Sequence, residues 1–464
     1  MPTLQIRSLA VIVACLALTV HSGSAATDDT QIPAVTSPSL ESSDAMLVAK
    51  IRQAAHPLAG NPGDYDPLMA LIGDARIVMI GEATHGSREF YRERARITRR
   101  LIEEKGFNAV VIEADWPQIR RVDQYIRSIG TDSSVEQALS EIVRFPRWAW
   151  RNMEFRDFAE WMRKYNASRL TRMVGVYGMD LYSVPESVEA VVSHLEQRDP
   201  VAASKARTRY RCFSRFVHDP YAYGRAVALK KARSCKKQVQ QQFKDIQHRF
   251  AASTHDAELF SALQDARVAK NGEAYYRVQH RNFTASWNLR DRHMAETLDA
   301  LMRHLDSSGD QPAKIVVLAH NSHQGDARMS DQAMVGELNV GQLMRERYRQ
   351  DVVLVGFTTY VGTVRASSEW RESDEVKNVL PALAGSIPAL FHEAGKPDTP
   401  NFLLRFRDNE TLAKDLEHNR LDRVIGVLYL PQTERTSHYY NVRLSRQFDA
   451  VIHLDVTHAV EPLN

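Results

Sequence analysis

The chain has 464 residues, 44% of them hydrophobic, with 60 Lys and Arg against 57 Asp and Glu for a net charge of +3. That length supports a sizeable core, arranged as two or three domains or as one large α/β unit with insertions. The near balance of charge creates no strong field and gives no reason to expect nucleic acid as a partner.

Arg7 precedes the apolar stretch 9–20, "LAVIVACLALTV", and Gly23-Ser24-Ala25-Ala26 follows it. A basic residue, a short apolar core and a small-residue cleavage site predict a secretory signal peptide over residues 1–25. The stretch is short for a membrane span. The mature chain is therefore expected to carry no transmembrane segment and to reside in the periplasm or to be secreted. Residues 26–45, rich in Thr, Ser, Pro and Asp, read as a flexible leader. Two cysteines then remain, Cys212 and Cys235. In an exported protein they form a disulfide or stay as two thiols, and the sequence leaves both open.

The rest, 46–464, reads as one α/β domain. A first helix is predicted over 43–55, and Tyr65-Asp66-Pro67-Leu68 opens a second. Apolar, β-branched runs follow at 77–80, 109–112, 173–177, 315–318, 352–355, 424–428 and 450–454. Runs apolar on both faces predict central strands of a parallel or mixed sheet. Helical stretches between them, 90–105 and 187–197 among them, make the fold class α/β, with helices flanking the sheet. Residues 199–297 contain no strand-like run and are expected to form a largely helical insertion or cap beside an active-site cleft. From 201 to 250 this insertion holds 13 Lys and Arg against 2 Asp. Such a basic helix either attracts an anionic surface or forms the solvated face of a helical hairpin. Residues 395–400, "GKPDTP", read as a loop.

The strand ends carry the chemistry. After 77–80 comes "GEATHGS", residues 81–87, which sets Glu82 and His85 three residues apart. Histidine suits proton transfer near neutral pH, and a carboxylate beside it orients the ring or offsets its charge. The same pair could simply cap a helix. The run 109–112 leads into Glu113-Ala114-Asp115-Trp116-Pro117, whose carboxylates suit a site rim or a structural network with Arg120 and Arg121. The run 315–318 leads into "AHNSHQGD", where His320 and His323 converge on one cleft or are satisfied at a strand-to-helix corner. Three imidazoles and two carboxylates fit metal-free acid–base hydrolysis and equally a Zn²⁺ or Mn²⁺ site. Ser322 lacks the G-x-S-x-G elbow, since residue 320 is His, and neither a Walker loop nor G-x-G-x-x-G occurs. In "SWNLRDRHM", 286–294, Arg290 and Asp291 clamp the insertion to the sheet or Arg290 faces the cleft. The aromatic stretch 145–152 lines a pocket wall or packs a corner.

Together "GEATHGSREFYRERARITR" (81–99), "VIEADWP" (111–117), "RFPRWAW" (144–150), "SWNLRDRHM" (286–294), "AHNSHQGD" (319–326), "LNVGQLMRERY" (338–348), "RVIGVLYLPQTERTSHYY" (423–440) and "QFDAVIHLD" (447–455) resemble the erythromycin esterase family. The resemblance runs from about residue 50 to the C-terminus. It implies an α/β core with a helical portion beside a deep cleft. It also implies hydrolysis of macrolide lactones by activated water, with no covalent intermediate and no cofactor. By the same resemblance His85 corresponds to the general base, Glu82 and Glu113 to its carboxylates, Arg94 to the essential arginine and His320 to the essential second histidine. His323, Trp116, Trp148 and Arg290 are expected to contact a small-molecule ester or lactone substrate. Two other readings are carried: a metal-dependent hydrolase of another substrate, and a non-catalytic envelope binding protein.

Overall fold

The structure, a computed structural model, describes residues 42–169, 173–308 and 311–463. The expected signal peptide, and the leader up to residue 41, lie outside the described residues.

Eleven strands occur among the described residues: β1 (His56–Pro57), β2 (Ile77–Ile80), β3 (Ala109–Asp115), β4 (Gly175–Asp180), β5 (Ile315–Leu318), β6 (Val352–Ser367), β7 (Asp374–Val379), β8 (Asn401–Arg405), β9 (Arg420–Arg423), β10 (Tyr439–Val442) and β11 (Ala450–Thr457). The main sheet has the order β1-β8-β11-β6-β2-β5-β3-β4, with β7 paired to the far half of β6, and β9 and β10 form a separate ribbon. From β11 to β4 all neighbours are parallel, whereas β8, β1 and β7 join antiparallel. The sheet is thus mixed, with a parallel centre.

Alternate residues along each central strand feed two different cores, which is why these strands are apolar throughout. Val78, Ile80, Val110, Ile112, Val316 and Leu318 pack on one face, beneath helices Arg88–Lys105, Trp116–Ile126 and Met153–Ala167. Ile77, Met79, Val111, Ile315 and Val317 pack on the other, against helices Phe283–Ser308 and Val340–Tyr348. A third core binds Val184–Arg198 to the helices Pro200–Tyr210, Pro220–Ala228, Lys236–Ala251 and Ala257–Gln279. Cys212 and Cys235 are joined there as a disulfide, their Cα atoms 5.8 Å apart. Among the described residues no helix is long and apolar enough to cross a membrane.

Ile80, Leu318, Ile112 and Val355 stand level in the register of β2, β5, β3 and β6. The residues that follow these strands therefore emerge together at one edge. The chain builds outward from β2 through β3 to β4, then returns to insert β5 beside β2 and places β6 on its other side. A crevice at such a reversal is the usual ligand position in an open α/β sheet.

Two sequence expectations need correction. The run 424–428 is not a strand: Ile425 and Leu428 make only isolated bridges, to Thr84 and Ser367, and the regular pairing lies just before it in β9. The run 352–355 is only the start of β6, which continues to Ser367 because β11 and β7 pair with its later residues.

Candidate active site

The turn after β2 approaches its neighbours too closely for any side chain at its glycines. A Cβ on Gly81 would stand 2.0 Å from the Asn321 side chain, and one on Gly86 1.9 Å from the Arg365 carbonyl oxygen. Held so, the turn brings Glu82 back to His85: Nδ1 of His85 lies 2.8 Å from Oε1 of Glu82. The other Glu82 oxygen meets Arg94 at 2.6 Å, a close ion pair without hydrogen-bond alignment. Arg94 belongs to the helix Arg88–Lys105 and is buried over the rings of Tyr91 and Trp150, at 4.5 and 5.6 Å. The Tyr91 hydroxyl, with its one proton, lies between two acceptors, the backbone oxygens of His85 at 2.8 Å and of Ala149 at 2.6 Å. Glu82, His85 and Arg94 thus form one rigid unit, with His85 its most exposed member at 13% of the side chain.

Glu113, from β3, anchors a second unit. It accepts from Arg290 at 2.6 Å and from the backbone N–H of His320 at 2.9 Å. Arg290 also donates to both oxygens of Asp180, at the end of β4, at 3.0 and 2.7 Å. Its Nη1 donates to Nε2 of His323 at 2.9 Å. An arginine cannot accept a proton, so Nε2 of His323 is the acceptor. Its proton then sits on Nδ1, facing Asp291 at 2.8 Å. Trp287 stacks on the His323 ring at 4.6 Å. Arg290 clamps the helix Phe283–Ser308 to β3 and β4, the first of the two alternatives read from the sequence.

His320 caps the short helix Asn321–Gln324. Its Nδ1 lies 2.8 Å from the Ser322 hydroxyl and its Nε2 3.2 Å from the Ile425 carbonyl oxygen. Since a carbonyl only accepts, Nε2 carries the proton. The rings of His85 and His320 are 4.8 Å apart.

The electrostatics separate these histidines. Burial disfavours charge on His85, but the Glu113 charge and the Glu82 hydrogen bond outweigh it and raise its pKa above 6.5. His320 is pushed down to about 3, first by burial and then by His85. Burial opposes the Glu113 carboxylate, yet the Arg290 guanidinium, the charge at His85 and the His320 backbone N–H hold it well below the usual carboxylate range. The site stabilises an imidazolium at residue 85 and keeps residue 320 a neutral N–H donor. Pairs of groups pushed apart in this way mark acid–base assignments.

His85, Glu82, Arg94, Glu113, His320, His323 and Arg290 are therefore brought together. Trp116 and Trp148 are not part of that cluster, a correction to their expected substrate contact. Trp116 is buried in the core on one sheet face, stacked on Tyr177 and donating to Ser261 at 3.2 Å. Trp148 is buried in the core of the other face. Their flat apolar rings contribute more by packing than they would on a cleft wall. Sequence reading missed Asp180 and Tyr91. Asp180 had a usable signal, a carboxylate closing a buried strand as Glu113 does; Tyr91 had none beyond its place in an amphipathic helix. Among the described residues no group of three or more His, Cys, Asp and Glu side chains is disposed to hold a metal ion. Nδ1 of His85 and of His323 is directed instead at a single carboxylate.

Fold and site together define an α/β protein with a buried histidine–carboxylate–arginine cluster at the carboxyl edge of a parallel sheet. The profile of the erythromycin esterase family matches residues 102–457. The chain belongs to the erythromycin esterase family, and that membership supports a hydrolase. Escherichia coli erythromycin esterase type II is 23% identical over 329 residues, covering 66% of this chain and 74% of that protein. Among solved structures, a succinoglycan biosynthesis protein superposes with a TM-score of 0.73 at 22% identity, covering 91% of this chain and 100% of the other. An erythromycin esterase mutant in its open conformation superposes at 0.61 and 17% identity, covering 86% and 94%. At these identities the likeness to the solved structures is one of fold.

Proposed function

We infer that this protein is an exported carboxylic ester hydrolase that opens ester or lactone bonds with water activated by His85. The observation that carries the reading is the Glu82 carboxylate shared between His85 Nδ1 and Arg94, at 2.8 and 2.6 Å. A carboxylate so fixed holds the proton on Nδ1 and leaves Nε2 as the base. Nε2 takes a proton from water as the oxygen adds to the carbonyl carbon. Glu113 and Glu82 stabilise the imidazolium that forms. His320, a neutral donor through Nε2, turns its N–H from the Ile425 carbonyl to the oxyanion. The ester C–O bond then breaks, and the leaving oxygen takes the proton back from His85. The products are an acid and an alcohol, joined in one molecule when the substrate is a lactone.

Export is supported by the basic residue and apolar stretch at the start of the chain and by the Cys212–Cys235 disulfide, a bond that persists in oxidising compartments. N-terminal sequencing of the mature protein should begin at Ala26 or Thr27.

The function is tested by mass spectrometry of mature protein incubated with a panel of macrolides and simple esters, beside His85→Ala. The expected result is a lactone gaining the mass of one water, or an ester split, only with the intact protein. Equal turnover by His85→Ala would remove the mechanism. Absence of any turnover across the panel would favour a binding protein.

A further inference from the structure

The helical insertion holds a cavity of about 340 Å³ that takes no part in the site above. Val188 and Val192 from the helix Val184–Arg198 form one wall. Phe213, Phe216, Tyr223 and Tyr276 form the others. The lining is overwhelmingly apolar, and Val217 at its edge is 46% exposed. A pocket of this size with an apolar wall and a few polar groups is typical of small-ligand sites. Its walls are fixed in advance. The Cys212–Cys235 bond holds the segment bearing Phe213, and Tyr223 donates to Glu273 at 2.7 Å.

The mouth is cationic. Arg207 and Arg211 both border it. Arg207 is ion-paired with Glu196. Arg211 is exposed, and among the described residues no acidic side chain pairs with it. An apolar pocket bordered by an unpaired guanidinium complements a ligand with an apolar body and one anionic end.

We propose that this cavity is a binding site for a single-chain anionic amphiphile, its hydrocarbon tail among Val188, Val192, Phe213 and Phe216 and its carboxylate at Arg211. The site is separate from the catalytic cluster, divided from Arg290 by Tyr276, whose hydroxyl donates to the Tyr182 backbone at 2.9 Å, and by the Tyr182 ring under Arg290. Its occupancy therefore stands or falls independently of the esterase reading.

The test is calorimetric titration of the full mature protein with octanoate and decanoate below their micelle concentrations, and with decan-1-ol. Saturable binding is expected, tightening about fourfold per methylene. Decanoate should bind at least several-fold more tightly than decan-1-ol. Val192→Trp fills the cavity and should weaken decanoate tenfold or more. Arg211→Glu, an exposed change that leaves packing untouched, should remove the preference for decanoate over the alcohol. No saturable binding overturns the proposal. So does undiminished binding by folded Val192→Trp, which would put the chain elsewhere, or an unchanged preference in Arg211→Glu.

Discussion

His85 and His320 lie with their rings 4.8 Å apart, yet their surroundings drive their titration in opposite directions. Carboxylates raise His85 above 6.5, and burial takes His320 to about 3. One ring is prepared to accept a proton near neutrality, and the other to remain a neutral donor at every working pH. Two identical side chains thus titrate differently because of their neighbours alone.

This separation predicts the pH profile. As base, His85 works only when neutral, so kcat/KM should rise with pH through a midpoint above 6.5. His320 should contribute no limb between pH 5 and 8. Glu82→Gln removes a charge that raises His85, so the midpoint should move to lower pH. Rate measurements from pH 5 to 9 on both proteins check this, and an unmoved midpoint would detach Glu82 from His85.

Arg94→Ala should damage both stability and turnover. Arg94 and Glu82 are each almost wholly buried, and removing the cation leaves Glu82 charged in the interior with only His85 beside it. Breaking a buried pair from one side costs about 3–5 kcal/mol. With the Glu82 carboxylate no longer fixed, kcat should fall more than KM rises. Arg94→Lys should not restore activity, because the guanidinium plane also lies over Tyr91 and Trp150. Chemical denaturation and steady-state kinetics on both variants decide the matter.

The central strands β2, β3 and β5 were legible because each is apolar on both faces and ends at a glycine or a polar residue, as at Gly81, Glu113 and His320. Helices were legible from their periodicity. The margins of the sheet were not: short β8 owes its form to pairing with β11, far along the chain, and half-exposed β7 to folding back on the later part of β6. The run 424–428 looked like a strand because it is apolar, but it passes over the site instead, giving its Ile425 carbonyl to His320. Residue types therefore pointed to the catalytic candidates, while the joining of Glu113 and Asp180 through Arg290 depends on β3 and β4 standing side by side. The burial of Trp116 and Trp148 was not legible either. An aromatic ring at a strand end, as Trp116, or in a turn, as Trp148, can face a cleft or the core, and sequence spacing does not distinguish the two.

A buried carboxyl in the insertion gives a prediction of opposite sign to the usual one. Asp265, on the helix Ala257–Gln279, is 1% exposed, and neither oxygen meets an aligned hydrogen-bond donor among the described residues. Burial pushes it up to about 8. Between about 4 and 8 the folded protein therefore holds one proton more than the unfolded chain. Stability from this group is present at acid pH and is lost as pH rises through that window, by about 1.4 kcal/mol per unit. Asp265→Asn should be nearly neutral at pH 4.5 and increasingly stabilising toward pH 8. Urea denaturation at several pH values measures it; a pH-independent difference would show that Asp265 is ionised when folded.

The disulfide should act on the insertion and leave the sheet alone. Cys212 and Cys235 are 23 residues apart and belong to the third core, away from both sheet faces. Closing a loop of that length is worth about 3 kcal/mol, chiefly through the unfolded chain. The Cys212→Ser/Cys235→Ser pair should lower the stability of the insertion by that order. Hydrogen exchange should quicken in the helices Pro200–Tyr210 and Lys236–Ala251, while β2, β3 and β5 keep their protection. Hydrolytic activity at low temperature should survive, because Glu82, His85, Arg94 and Arg290 are held by elements outside the third core. Equal acceleration of exchange in the strands would mean that sheet and insertion unfold as one unit, and the bond would then stabilise the whole protein.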